Sequence, residues 1–235
     1  MKQAFGILAL ALVAGSANAA IVANTLPGAL GLGANPGPFE AGGSQQIIFD
    51  DVAIAGGPGL QIEITRVTVS IRINPLQPAT SFDILVAETN GLAPSFDGAL
   101  LRPFTNLGTV NIPANLNPGP GNANVQFSVG DGVTPMATLD LDSTFYGAGF
   151  TAMAIGVQFA TNNGAAGRWN LSSTAGGDGG FVWFYDPDVD TAGGVTFGQA
   201  TGDHMAYRIE GNLIPTPSAM ALMGLGGLLA ARRRR

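Results

Sequence analysis

The chain has 235 residues, 46% hydrophobic and 11% charged, with one His, no Cys and a formal net charge of −6. The absence of cysteine rules out disulfides and excludes zinc sites built from Cys and His. The roughly 195 residues between its two end segments suffice for one domain with a sizeable core without such staples.

Met1-Lys2 opens a weakly basic start, and Ala4 to Ala14 forms an apolar run containing Phe5, Ile7, Leu8, Leu10, Leu12 and Val13. Ala17-Asn18-Ala19 then supplies small residues where a signal peptidase reads them. This is the layout of a secretory signal helix over 1–19, with cleavage after Ala19. Removing both ends changes the charge balance. Residues 20–214 keep Arg66, Arg72, Arg102, Arg168 and Arg208 and hold all 16 acidic residues, for a net −11 with no lysine. Nucleic-acid binding, which needs a basic surface, is excluded.

Residues 20–43 are rich in Gly, Pro, Ala and Asn and predict an extended arm or a loosely packed edge. From there to 213 the chain reads as an all-β domain. Its 35 glycines and 15 prolines are scattered between short β-rich runs, so turns are frequent and helices scarce. Strands are predicted over 45–52, 61–73, 81–88, 107–112, 124–129, 137–141, 150–159, 180–185 and 204–209. Nine strands suit an antiparallel two-sheet sandwich of jelly-roll-like form. In the 61–73 run, Ile62 and Ile64 share one parity and Val67, Val69, Ile71 and Ile73 the other. Side chains alternate faces along a strand, so a bulge or corner is expected near Thr65-Arg66. The 150–159 run is apolar almost throughout, as expected of a central strand dry on both faces.

The last segment, 214–235, has three ordered parts. Pro215, Thr216 and Pro217 come first, then an apolar Ala/Leu/Met/Gly run from Ser218 to Ala231, then Arg232, Arg233, Arg234 and Arg235. Four adjacent arginines cannot be buried in a fold, yet beside an anionic membrane face they are favoured and fix orientation. The apolar helix expected there has 14 residues, short of the ~20 that span a bilayer comfortably. The tail resembles the PEP-CTERM sorting signal of exported bacterial proteins, with Thr216 in place of the usual Glu. The resemblance implies recognition by an exosortase-type membrane enzyme, transient anchoring through the C-terminal helix, cleavage near the Pro motif, and release or attachment at the cell surface. Phe49-Asp50-Asp51-Val52 early and Trp183-Phe184-Tyr185-Asp186-Pro187 late are also similar to surface proteins bearing such tails.

The body offers little chemistry. There is no Cys, the only Lys is Lys2, His204 stands alone, and Gly-x-Ser-x-Gly is missing. The four Glu residues form no pair of the kind glycosidases use. A non-enzymatic protein without a cofactor is therefore expected. Two features point to binding. Asp186, Asp188 and Asp190 alternate in one loop and suit a hard cation such as calcium, although the EF-hand pattern fails at Thr191 and Phe197. The loop reads equally as an acidic turn. Trp169, Trp183, Phe184 and Tyr185 suggest an aromatic platform for polysaccharide, with Trp183 and Tyr185 as ligand contacts, but an aromatic strand must also bury one face. Three functional readings follow: an exported surface or matrix protein, a carbohydrate-binding module assisted by calcium, and a secreted hydrolase working through an Asp pair.

Overall fold

A computed structural model describes residues 19–26, 29–34, 47–55, 60–88, 104–141, 150–160, 167–172, 181–185, 197–200 and 204–215. Among them run fourteen strands: β1 (Ala20–Asn24), β2 (Ala29–Ala34), β3 (Ile47–Ala55), β4 (Leu60–Ile73), β5 (Thr80–Glu88), β6 (Thr105–Ile112), β7 (Ala123–Val129), β8 (Ala137–Leu141), β9 (Phe150–Phe159), β10 (Gly167–Ser172), β11 (Phe181–Tyr185), β12 (Phe197–Ala200), β13 (His204–Met205) and β14 (Tyr207–Pro215). All nine expected strands are present. The further ones are β1, β2, β10 and β12, and the last expected strand divides at Ala206 into β13 and β14. The 20–43 stretch contributes β1, at a sheet edge beside β14, and β2, beside β10. The expected terminal helices lie outside the described residues, among which no helix is long and apolar enough to cross a membrane.

The strands form two antiparallel sheets. The first is built round β4, whose length lets it pair with two strands end to end on each edge. β14 covers positions 60–69 and β10 covers 71–73, while β8 covers 60–64 and β7 covers 67–73. The second sheet has the order β12-β11-β3-β9-β5-β6. Their facing sides share one core. Ile62, Ile64, Val67, Val69, Ile71 and Ile73 from β4 meet Ile48, Val52, Ile54, Phe82, Ile84, Val86, Ile155 and Val157 from the second sheet. Full burial of each such side chain stabilises the fold by about 1.5–3 kcal/mol.

The parity break in β4 is a bulge. Arg66 pairs with Glu210 and Ile64 with Gly211, so Thr65 is the extra residue. Both halves of the strand thereby keep their apolar set inward. Thr65 is fully buried, and its hydroxyl donates to the Glu210 carbonyl at 3.1 Å. Gly211 must be glycine, because a Cβ there would run into the Glu63 carbonyl. On the other edge, the β7–β8 connection closes over the bulge, with Gly132 N donating to Thr65 O at 3.1 Å. Gly130 takes φ +86°, and a Cβ there would strike the same carbonyl. Within this connection the Asp131 carboxylate accepts from the amides of Val133 and Thr134, both at 2.7 Å, and from the Thr134 hydroxyl at 2.8 Å. These bonds favour the charged form and lower its pKa to about 2.

The second sheet is apolar on both sides of its central strands. Behind the shared core, Ile47, Phe49, Leu85, Ala87 and Ala154 make a second buried cluster, capped by Phe104 in an edge-on contact with Phe49 at 5.5 Å. This agrees with the near-continuous apolar reading of β9.

Candidate functional site

Three places in the fold bear on function: a polar cleft on the outer side of the second sheet, a buried polar clasp between the sheets, and the end of β14.

The cleft lies across β9, β5 and β6, has a volume of about 230 Å³, and is lined by Ser81, Asp83, Thr109 and Gln158 with Phe82, Phe159 and Ala160. Strand pairing brings its polar groups into one cross-strand row: Gln158 is opposite Asp83, and Asp83 is opposite Thr109. The Thr109 hydroxyl donates to Asp83 Oδ1 at 2.5 Å. Ala160 N donates to Ser81 O at 2.9 Å and closes one end. Phe82 and Phe159, with ring centroids 5.4 Å apart, support the cleft from the core side. A carboxylate, an amide and two hydroxyls offer the mixed donors and acceptors that sugar hydroxyls require. The cleft has a single carboxylate, whereas glycoside hydrolysis uses two.

The same row continues toward the aromatic strand. Gln158 is opposite Ile47, and Ile47 is opposite Tyr185. The neighbouring row joins Trp183 to Phe49 and Gly156. The backbone position of Tyr185 is thus in register with the cleft row, while the row of Trp183 ends on Leu85, outside the cleft. The four-residue β12 adjoins β11, with Trp183 opposite Gly198. Trp169 takes the core role of the two weighed for the aromatic residues, not the platform role. It is fully buried, its indole N–H donates to the Ala206 carbonyl at 2.9 Å, and its ring lies 6.5 Å from that of Tyr207. It belongs to the core because β10 turns it inward beside β4, with Trp169 paired to Ile71.

The clasp forms where β13 gives way to β14. A strand break inside a core leaves backbone groups that must find partners. Here side chains and neighbouring strands supply them. The Asp50 carboxylate accepts from Met205 N at 2.7 Å, tying β3 of the second sheet to β13 of the first. The Thr25 hydroxyl donates to Met205 O at 2.6 Å and accepts from Tyr207 N at 2.8 Å. Ala206 O accepts from both Ser70 N, at 3.0 Å, and the Trp169 indole. Asp50 is fully buried, on the face of β3 that carries Ile48, Val52 and Ile54. The sequence reading placed Asp50 in a motif but gave it no task. Strand parity was the signal, since an Asp between Ile48 and Val52 points inward with them.

Of the sorting residues, Pro215 is described. It is exposed at the end of β14, opposite Leu60. Thr216, Pro217 and Arg232 to Arg235 lie outside the described residues, as do Asp186, Asp188 and Asp190. Among the described residues, no group of three or more His, Asp or Glu gathers as a metal site would require. No protein-family model matches the chain, and no match is found among the curated proteins or the solved structures.

Proposed function

We propose that this is an exported, non-enzymatic protein of the bacterial cell surface or extracellular matrix, sorted by its C-terminal tail. One observation carries the reading. Among the described residues, the first strand starts at Ala20, directly after the expected signal-peptidase site, and the last reaches the exposed Pro215, where the tail motif begins. Both ends are tied into one sheet: Ala20 pairs with Gly211 on β14, and β14 pairs with β4 as far as Pro215. Cleavage after Ala19 and beyond Pro215 would leave these pairings intact. In this reading the two sheets form a jelly-roll-like sandwich, preceded by a signal helix and followed by a short apolar helix that an exosortase-type enzyme removes. The mature termini of the protein recovered from its host test it.

A second reading, carbohydrate binding, is favoured by the polar Asp83 cleft and by the register of Tyr185 with its row, Trp183 lying one row over. A sugar chain has apolar ring faces and hydroxyl edges, which suits a sheet that carries a polar row on β5 and β9 and an aromatic strand, β11, beyond β3. Calorimetric titration with neutral oligosaccharides tests it, with calcium and with chelator. Asp83→Asn and Trp183→Ala each lower affinity on the order of tenfold, the effect of losing one good contact. Binding that both variants leave unchanged, or no heat with any sugar, would sink this reading. Loss of binding on chelation would assign calcium a part in the site.

A further inference from the structure

At the Ile73 end of β4, two loops meet: 74–79, leading to β5, and 113–122, leading from β6 to β7. They are locked together. The Asn117 amide donates to Ile73 O at 3.1 Å and to Gly121 O at 2.6 Å, and the Gln77 amide donates to Pro113 O at 2.9 Å. Leu76 N donates to Asn117 O at 3.0 Å, Asn115 N to Gln77 O at 2.9 Å, and Asn117 N to Gln77 Oε1 at 3.4 Å. Gln77 and Asn117 are buried, yet the residue before each, Leu76 and Leu116, is exposed, to 68% and 38%. Leu76 also has φ +52°. Bulky L side chains rarely take this conformation, and Gly or Asn ordinarily fills such a position after Pro in a turn. Neither the backbone nor the core accounts for a leucine there. The surroundings carry no charge. From Ile73 to Phe82 and from Pro103 to Gly130 the sequence has no Asp, Glu, Lys or Arg, although residues 20–214 total −11. The nearest charged positions along the strands that enter and leave the tip are Arg72 on β4 and Asp83 on β5. Pro78, Pro113, Pro118, Pro120, Ala79 and Ala114 are exposed around the two leucines.

We infer that this tip enters the interface of an uncharged lipid bilayer, with Leu76 and Leu116 leading. A segment that leaves water for lipid must bring its backbone polar groups already paired. The tip meets that need. Pro75, Pro78, Pro113, Pro118 and Pro120 carry no N–H, and the amides of Leu76, Asn115 and Asn117 are held inside the tip. A protein partner fits less well. Stable protein interfaces bury about 1,200–2,000 Å² in total, whereas this tip is two short loops whose hydrogen bonds are made to each other. A second copy would bring two bodies of net −11 together over that small area. The same charge disfavours polyanions and anionic lipid. Position fits as well. Pro215, from which the tail leaves, pairs with Leu60 at the other end of β4, roughly 40 Å away for a strand of this length. The tip therefore meets a bilayer independently of the tail.

The chain has no cysteine, so one introduced thiol takes one label. Full-length Leu116→Cys carries a polarity-sensitive fluorophore at the tip. Full-length Val133→Cys carries it on the β7–β8 connection, where the parent side chain is 68% exposed. Both are titrated with phosphatidylcholine vesicles up to millimolar lipid, because two leucines hold less firmly than one acyl chain, whose partition constant is about 10⁴ M⁻¹. The expected result is a blue shift and quenching by brominated lipid at residue 116, with neither at residue 133. Adding Leu76→Asn to Leu116→Cys lowers the partition severalfold, while Tm stays at or above that of Leu116→Cys alone, because Asn accepts a positive φ. A leucine present for the fold alone would lose Tm and keep the lipid response. No shift at residue 116, equal shifts at both positions, or a shift that grows with protein rather than lipid would each overturn the proposal. So would a Leu76→Asn variant that partitions unchanged or loses several degrees of Tm. The readout sits at the tip and needs no processing step, so its failure leaves the sorting reading standing, and the reverse also holds.

Discussion

Replacing Trp169 with Ala is expected to cost about 3–5 kcal/mol, the range for truncating a fully buried Trp. Three terms act together. The indole is fully buried in the shared core, so its removal leaves a cavity that β4 and β14 cannot close without breaking their pairing. The ring contact with Tyr207 is lost. The Ala206 carbonyl loses one of its two donors and keeps only Ser70 N. Against a typical domain stability of about 5–15 kcal/mol, this is a large share. Each kcal/mol shifts Tm by roughly 2–4 °C at this chain length, so thermal unfolding should fall by about 10 °C. Trp169→Phe restores ring volume without the N–H donor and should recover more than half of the loss. A Tm within about 2 °C of the parent for Trp169→Ala would mean that the indole does not organise the strand break.

The second large effect belongs to Asp50. Asp50→Ala removes the acceptor for Met205 N, a buried donor on the opposite sheet. Leaving such a group unsatisfied costs about 1–3 kcal/mol, and the lost side-chain volume adds to it. Asp50→Asn, which keeps a carbonyl oxygen in reach, should cost less than the Ala variant. The two hypotheses about this carboxylate separate on Asp50→Leu. If Asp50 acts by accepting from Met205, Leu is as damaging as Ala despite its apolar bulk. If the charge is merely tolerated, Leu equals or exceeds the parent in stability, as replacement of some buried ionic groups does. Denaturant unfolding gives the stability order. Amide exchange at Met205, faster in Asp50→Ala than elsewhere in β13 and β14, would place the damage at the clasp.

Much of the strand framework was legible in the sequence because it depends on local alternation. β4, β5, β7 and β9 bury apolar residues at a period of two, and even the Thr65 bulge announced itself as a change of parity. The strands that escaped notice have little to alternate. β2 reads Ala-Leu-Gly-Leu-Gly-Ala, β12 has four residues, and β10 offers only Trp169 and Leu171 as large apolar groups. Marginal strands lean on their neighbours for definition, and a single sequence does not name the neighbours. The same limit hid the cleft. Ser81 and Asp83 alternate with Phe82 and Ile84 and so share the polar side of β5. Their meeting with Thr109 and Gln158 depends on β5 lying between β6 and β9, which is a matter of strand order. Asp50 was half legible: parity turns it inward, but its partner Met205 lies 155 residues away. The grouping of Arg66 and Arg208 round Glu210 is likewise invisible until β4 and β14 are laid side by side. Composition gave the charge total, and only pairing gave its distribution.

The central claim is that the folded body is the product of processing at both ends. Intact mass and terminal sequencing of the protein recovered from the envelope and culture fluid of its host measure this directly. The account predicts a chain that begins at Ala20, ends between Pro215 and the apolar run, and lacks Arg232 to Arg235. A recovered chain that still carries Met1 or the four terminal arginines would contradict it.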